Sequence, residues 1–457
     1  MTRAQFLIIF LFALAVRLAH TAWLLHDGVP LLAEDANYYW SLGEAILAHG
    51  GHFMHDAGIG AIPESERMPL YPYLLAGIRG LGGGLGSALC VNAILDSVTC
   101  TVIAAIAGKW SPRAGLISGI LAALSPSLII HAGMILTESL FMLPLSIALY
   151  GCVAYLADPG PRPAVLTGLS LGIATLARAV TLPMIFVLTA VAPLIALIRN
   201  RGKKSAVLSA CAIAFCALAI LSPLSVRNMV VLGSPALNSQ SGNHLTLWIL
   251  PLLLQQETGR PFGEITSEIN KVIDRDFAAR GYDDPKTNLM TRSEAMSDIG
   301  WAMLKDISLQ TWITSIGKAS IVNLGAPAVI LHPSIRALSN TSFYETAGSG
   351  LVDRIIRFLS HADPRFVTAI VVGCIGSVVM SALSLAGLVL LFRAHPWAAT
   401  FAVLYILYFS LLNGPVLSPK YRLPMEPVLI ALAAIAVESL VGWFTHRSHI
   451  KNVITKK

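Results

Sequence analysis

The sequence predicts an all-α, polytopic membrane protein, and three observations carry that prediction. Hydrophobic residues make up 55% of the 457-residue chain and charged residues 12%. Its mean hydropathy is +0.70, so most of it is dissolved in lipid rather than water. Predominantly apolar stretches recur at the length of about 20 residues that a helical span requires. Examples run from Phe6 to Leu25, Val180 to Ile198, Ala206 to Leu224 and Val367 to Phe392. A membrane β-barrel would instead show short segments of alternating polarity, and these are absent.

The basic residues set the orientation. Arg3, Lys109 with Arg113, Arg162, the cluster Arg199 to Lys204, Arg393 and the tail with Arg447, Lys451, Lys456 and Lys457 fall at every second connection. Taking those connections as cytoplasmic gives spans near 5–25, 84–108, 114–132, 138–157, 163–178, 182–198, 205–224, 366–392, 397–413 and 424–444, with both termini inside. The first span has no small-residue cleavage site after it and is read as a retained anchor. The loop 26–71, the turns at Glu138, Arg178 and Tyr421-Arg422, and the 225–365 region then lie outside. The expected organisation is a transmembrane module over 1–224 with its long first loop, an extracytoplasmic or interfacial region over 225–365, and C-terminal spans with a basic tail over 366–457.

The net charge of +7 is thereby a topology signal and carries no nucleic-acid meaning. All six cysteines lie in apolar stretches without metal-ligand spacing, and they read as small buried hydrophobes. The 225–365 region mixes charges of both signs with helical periodicity, as in Glu264 to Arg280, so a small, partly helical domain is expected there. The stretch Leu309 to Pro333 would break the charge parity if it crossed, and is placed on or in the outer leaflet. No internal repeat, interrupted helix, glycine-rich nucleotide loop or His/Cys cluster is legible, which argues against a transporter and an ATP-driven machine.

Chemistry is sought among the ionisable residues at the outer helix ends, because charge beside hydrocarbon is costly and defaults to function. Glu34, Asp35, Glu66, Arg67, Glu138, Arg178, Arg227, Lys420 and Arg422 all fall on the outer face. Each has a plain alternative. Arg227, Lys420 and Arg422 suit snorkelling anchors, Glu138 suits a helix start, and Asp56 and Glu64 read as solvated loop charges. Arginines outside, however, oppose the charge rule that the rest of the chain obeys. Carboxylates and guanidinium groups at one surface suit transfer from a lipid phosphate. The carboxylate serves as general base for an acceptor hydroxyl, and the cations stabilise the departing phosphate.

The order Asp35-x-x-x-Tyr39, Gly50-Gly51-His52-Phe53, then Glu66-Arg67-Met68-Pro69-Leu70-Tyr71 resembles the first outer loop of GT-C glycosyltransferases. The nearest families by that pattern are the lipid A aminoarabinose transferases and protein O-mannosyltransferases. Thr137-Glu138, Ala177-Arg178, Pro223-x-x-x-Arg227-Asn228 and Tyr421-Arg422-Leu423-Pro424 continue the resemblance. It implies a GT-C fold with about ten or more transmembrane helices and amphipathic helices in the first loop. It implies a catalytic role for Asp35 with Glu34, and donor-phosphate contact by Arg67, Arg178, Arg227 and Arg422. Tyr39, Tyr71, Glu138 and Tyr421 become pocket residues, and Glu66 a position for a divalent cation. The expected donor is a polyprenyl (undecaprenyl) phosphate sugar and the acceptor an envelope glycan or lipid, reached from the outer side of a bacterial inner membrane. Ala36 stands where many relatives carry a second acid, which turns the reading away from protein mannosylation. A flippase or transporter of lipid-linked sugars, a polysaccharide polymerase or ligase, and a protein O-glycosyltransferase are the alternatives.

Overall fold

The computed structural model describes the chain except Glu34 and residues 57–59, 200–201, 283, 285–286, 339–345, 347, 349, 361 and 455–457. Its first helix, α1 (Arg3–His26), starts on a reciprocal cap between Thr2 and Gln5, which satisfies amides that lipid would leave bare. The loop that follows holds helix α2 (Asp35–His49), a hairpin of β1 (Phe53–Asp56) and β2 (Gly60–Pro63) in antiparallel register, and α3 (Leu70–Gly80). The hairpin was not anticipated, because its turn carries only four-residue arms with weak alternation.

A helical bundle follows, comprising α4 (Leu85–Ala107), α5 (Pro112–Ala123), α6 (Pro126–Ala132), α7 (Glu138–Ala157), α8 (Pro161–Ala177), α9 (Leu182–Ile198) and α10 (Gly202–Leu232). Among the described residues, eight helices are long and apolar enough to cross a membrane, or nine if the bent pair α5–α6 is one span. Helix α8, expected as a span over 163–178, is only 17 residues long and is not among those eight or nine. Its shortness is offset by close packing. A Cβ on Gly168 would lie 2.7 Å from the Ile213 carbonyl oxygen, so α8 and α10 approach at backbone distance.

The bend between α5 and α6 is 50°, so the chain does contain an interrupted helix where an unbroken span was expected. Ser125 followed by Pro126 explains it: the serine caps the new helix through the Leu128 amide, and proline occupies the first turn. The carbonyls freed at the end of α5 are taken by Arg17 of α1, whose Nη1 donates to Ala123 at 2.5 Å and Nη2 to Ala122 at 3.0 Å. Its Nε donates to Asp96 of α4 at 2.6 Å, with both side chains buried. One guanidinium thus ties three helices together inside the hydrocarbon layer.

Beyond α10 lie α11 (Gln240–Asn243), α12 (Leu250–Thr258), α13 (Phe262–Arg280), α14 (Leu289–Leu304) and α15 (Leu309–Gly325). Leu250, Leu253, Ile265, Ile269, Met296 and Ile299 give them a core of their own. Helix α15 buries Thr311, Ser315, Ala319 and Asn323 and exposes Leu309, Ile313 and Ile321 together with Gln310, Thr314 and Lys318, a mixed face that suits the boundary between lipid and water. Short α16 (Pro333–Arg336) and amphipathic α17 (Leu351–Ser360) lead to the last spans, α18 (Pro364–Ala394), α19 (Pro396–Asn413) and α20 (Glu426–Ile454), the last preceded by a 3₁₀ turn over Pro419–Met425.

Removing one member of a buried ion pair costs about 3–5 kcal/mol, whereas replacing both by apolar groups is far milder. Arg17→Met should therefore lower the thermal stability of the detergent-solubilised protein steeply, and Arg17→Met with Asp96→Leu should recover most of it. A double variant as unstable as the single one would show that the pair is not the source of the loss.

Candidate active site

Two acid–arginine pairs stand at helix ends, Asp35 with Arg67 and Glu138 with Arg178. Asp35 stands at the first position of α2, at the positive end of that helix. Its Oδ1 accepts from Arg67 Nη2 at 2.8 Å, and the Asp35 side chain is 48% exposed, against 20% for Arg67. The carboxylate is thus open to a substrate while its orientation is fixed. The Arg67 guanidinium packs over the rings of Tyr38 and Tyr39, 5.3 and 5.9 Å from their centroids. Its Nε is buried with no partner among the described residues, a cationic donor suited to an anionic ligand. Burial works against the charged guanidinium, yet Tyr39, Asp35 and Glu66 around it hold it firmly protonated.

The second pair joins α7 to the end of α8. Arg178 leaves the helix in an extended conformation and donates through Nη1 to Glu138 Oε1 at 2.6 Å, with Glu138 buried and Arg178 27% exposed. Phe141 lies beneath the guanidinium, 5.6 Å from ring centroid to Cζ. Lys420 and His131 also act on the Glu138 charge, and Tyr421 and Tyr39 on that of Arg178. Tyr39 therefore borders both pairs. Burial pushes its phenol up to about 12, so it stays a hydrogen-bond donor. Tyr71 meets Tyr39 edge-on at 5.7 Å, but it is wholly buried and accepts from Asn92 Nδ2 at 3.2 Å. It packs behind Tyr39, against the buried Asn92 of α4.

Glu64, expected to be a solvated loop charge, is 1% exposed. Its Oε2 accepts from the Tyr38 hydroxyl, and its Oε1 from the amides of Glu66 and Arg67. A carboxylate that caps the loop from within fixes the direction in which Arg67 points. Burial, reinforced by the Glu64 charge, raises the Tyr38 phenol. His52 completes the frame: its Nε2 donates to the Arg67 carbonyl at 3.0 Å, and burial pushes its imidazole below the ordinary range.

Two arginines expected at the donor phosphate are placed differently. Arg227 donates through Nη2 to the His52 carbonyl at 2.7 Å, and through Nη1 to the Glu64 carbonyl and Asn228 Oδ1, both at 2.8 Å. These contacts tie the first loop to α10. Arg422, 4% exposed, donates to Glu426 at 2.8 Å, to the Leu324 carbonyl and to Ser381. It joins α15, α18 and the 3₁₀ turn. Lys420, two residues earlier, is the cation of that turn that acts on Glu138. Spacing could not separate these two, since a 3₁₀ turn repeats every three residues rather than 3.6.

Glu66 remains beside Arg67. Burial, with the charge of Glu64, raises its carboxyl above the usual range. Among the described residues no three His, Cys, Asp or Glu side chains form a metal-holding group. Glu34, paired with Asp35 in the sequence reading, lies outside the described residues, as does the side chain of His55.

The family model for dolichyl-phosphate-mannose-protein mannosyltransferases matches residues 66–226, in agreement with the resemblance read from the motifs. That stretch begins at Glu66-Arg67 and contains Glu138 and Arg178. No curated protein matches the chain in sequence. Among solved structures the chain is similar to ArnT from Cupriavidus metallidurans bound to undecaprenyl phosphate, at 15% identity and a TM-score of 0.41, over 95% of this chain and 78% of that one. It is likewise similar to the same protein in its apo state, at 15% identity and a TM-score of 0.37, over 94% and 77% of the two chains.

The raised Glu66 carboxyl has a consequence for stability. A group that holds its proton more tightly folded than unfolded contributes stability at low pH that is lost as pH rises through its folded value. Glu66→Gln should therefore melt higher than the wild type near pH 7, with the difference closing toward about pH 4. A variant no more stable at neutral pH would contradict the burial of that charge.

Proposed function

We propose that the protein is an integral-membrane, inverting glycosyltransferase of the GT-C kind. It takes a sugar from a polyprenyl phosphate-linked donor and passes it to an extracytoplasmic acceptor of the cell envelope, such as a lipopolysaccharide or polysaccharide hydroxyl. The observation that carries this reading is the convergence of the Asp35–Arg67 and Glu138–Arg178 pairs around Tyr39. The family-model match over residues 66–226 supports the same donor class.

In the proposed reaction the acceptor hydroxyl gives its proton to Asp35 as its oxygen bonds to the anomeric carbon. The bond from that carbon to the phosphate oxygen breaks, and its electron pair leaves with the polyprenyl phosphate. One direct displacement inverts the anomeric centre. Asp35 is exposed enough to be the base. Arg67, with its unpartnered Nε, and Arg178, partly exposed, are the guanidinium groups available to the phosphate charge. Donor phosphate entering beside Arg67 competes with Asp35 for that arginine and so frees the carboxylate as the substrate arrives. Glu138 keeps Arg178 in place, and no step needs a cation at Glu66. We place this chemistry on the outer side of a bacterial inner membrane, with the 225–365 region above it contributing to acceptor choice.

The interrupted helix α5–α6 is the feature that favours a transporter of lipid-linked sugars, since transporters place substrate at such breaks. Here, however, Arg17 already occupies the freed carbonyls.

Reconstituted with labelled polyprenyl-phosphate sugar and envelope acceptor, the wild type should move label off the lipid. Asp35→Asn should lower turnover by about 10²–10⁴-fold with the folded protein still in the membrane, and Arg178→Ala should weaken use of the donor more than of the acceptor. Label that crosses the bilayer still attached to its lipid would establish transport instead, and near wild-type turnover by Asp35→Asn would remove that residue from the chemistry.

A further inference from the structure

Away from the candidate active site, two histidines meet near the outer end of the first span. His20 of α1 and His332, just ahead of α16, bring their Nε2 atoms within 3.2 Å. At that distance only one hydrogen fits between them, and the other contacts decide which ring supplies it. His332 Nδ1 accepts from the Ser334 amide at 3.3 Å, so the His332 hydrogen sits on Nε2 and is donated to His20. His20 then carries its own hydrogen on Nδ1, which is buried without a partner among the described residues.

The pair is built into its surroundings on three sides. Trp23 stacks on His332, with centroids 5.0 Å apart and planes inclined by 22°. His332 is 5% exposed. The His20 ring lies so close to Gly133 that a Cβ there would come within 2.6 Å of its Cε1. Gly133 opens the 133–137 link to Glu138, and the next residue, Met134, accepts at its carbonyl from Asn92, the residue that also donates to Tyr71. Arg17, one turn below His20 and paired with Asp96, and Asp27, just beyond α1, are the other charged groups that act on the pair. Burial pushes the His332 imidazole below its ordinary value, with Asp27 pulling the other way.

We propose that His20 and His332 form an acid-sensitive latch, which fastens the outer end of the first span to the 328–336 segment and braces, through Gly133, the link that carries Glu138. A proton added to His20 sets N–H against N–H, and one added to His332 sets N–H against the Ser334 amide. Either breaks the contact, whatever reaction the outer site performs. The unfolded chain takes up these protons more readily, so the stability supplied by the latch is complete above the ordinary histidine value of about 6.5 and is lost as pH falls below it.

The test is thermal unfolding of the detergent-solubilised full chain at about pH 7.5 and about pH 5, for the wild type and for the His20→Gln/His332→Gln double variant. The wild type should lose about 2–4 °C more than the double variant across that interval. Hydrogen exchange of the wild type, corrected for the intrinsic effect of pH, provides a readout that does not depend on the variant folding. Protection of residues 19–26 and 328–336 should fall about tenfold at the lower pH while α7 and α8 keep theirs. Parallel melting profiles, or unchanged protection in those two segments, would overturn the latch.

Discussion

The position of the candidate active site depends on Arg227. Helices α2 and α3 of the long first loop pack on α4 through Ala36, Tyr71, Leu75, Ala88 and Leu89, but the hairpin and the stretch just before Arg67 lie beyond that cluster and need another anchor. Arg227, near the outer end of α10, reaches across and donates to the carbonyls of His52 and Glu64, and the Ser239 amide donates to the Ser65 carbonyl at 2.8 Å. Backbone carbonyls brought against a membrane bundle need donors as much as helices do. Meeting that need with a guanidinium from another helix fixes the strand of chain immediately before Arg67. Glu64 then works from inside the loop, so that Arg67 is presented to Asp35 by contacts that never touch a substrate.

The outward arginines sort by what their donors meet. Arg227 donates to two backbone carbonyls and to Asn228, and the buried Arg422 to the Glu426 carboxylate, the Leu324 carbonyl and Ser381. Arg67 and Arg178 each hold one carboxylate and stay partly exposed. Arg17 is the third kind, buried between helices, where it closes the interruption between α5 and α6. The same residue type thus performs three tasks at different depths, because a rigid fork of donors can satisfy carbonyls, carboxylates or phosphate alike.

Much of this was legible in the sequence. Hydropathy located the apolar helices, since lipid imposes the same requirement on every crossing, but helices expected over 205–224 and 424–444 run on to Leu232 and Ile454. The motif at Asp35 and the one at Glu66-Arg67 fall 32 positions apart, yet they form one pair. What sequence left hidden was partnership at long range. Glu64 looks like any loop acid until Tyr38 and the loop amides close around it. Arg227 and Arg422 carry the same outward sign as Arg178, and only the carbonyls facing them reveal a different task. The α5–α6 break was concealed because the apolar run continues through Ser125-Pro126, so hydropathy does not register the bend.

In the proposed reaction a donor phosphate binds between Arg67 and Arg178, beside Tyr39. Determining the structure of the full chain in lipid with polyprenyl phosphate bound tests it most directly. Phosphate oxygens should lie within hydrogen-bond reach of both guanidinium groups, with the Asp35 carboxylate released from Arg67 and the Arg227 contacts to the loop unchanged. A phosphate seated instead on Arg227 or Arg422, with the Asp35–Arg67 pair intact, would contradict it.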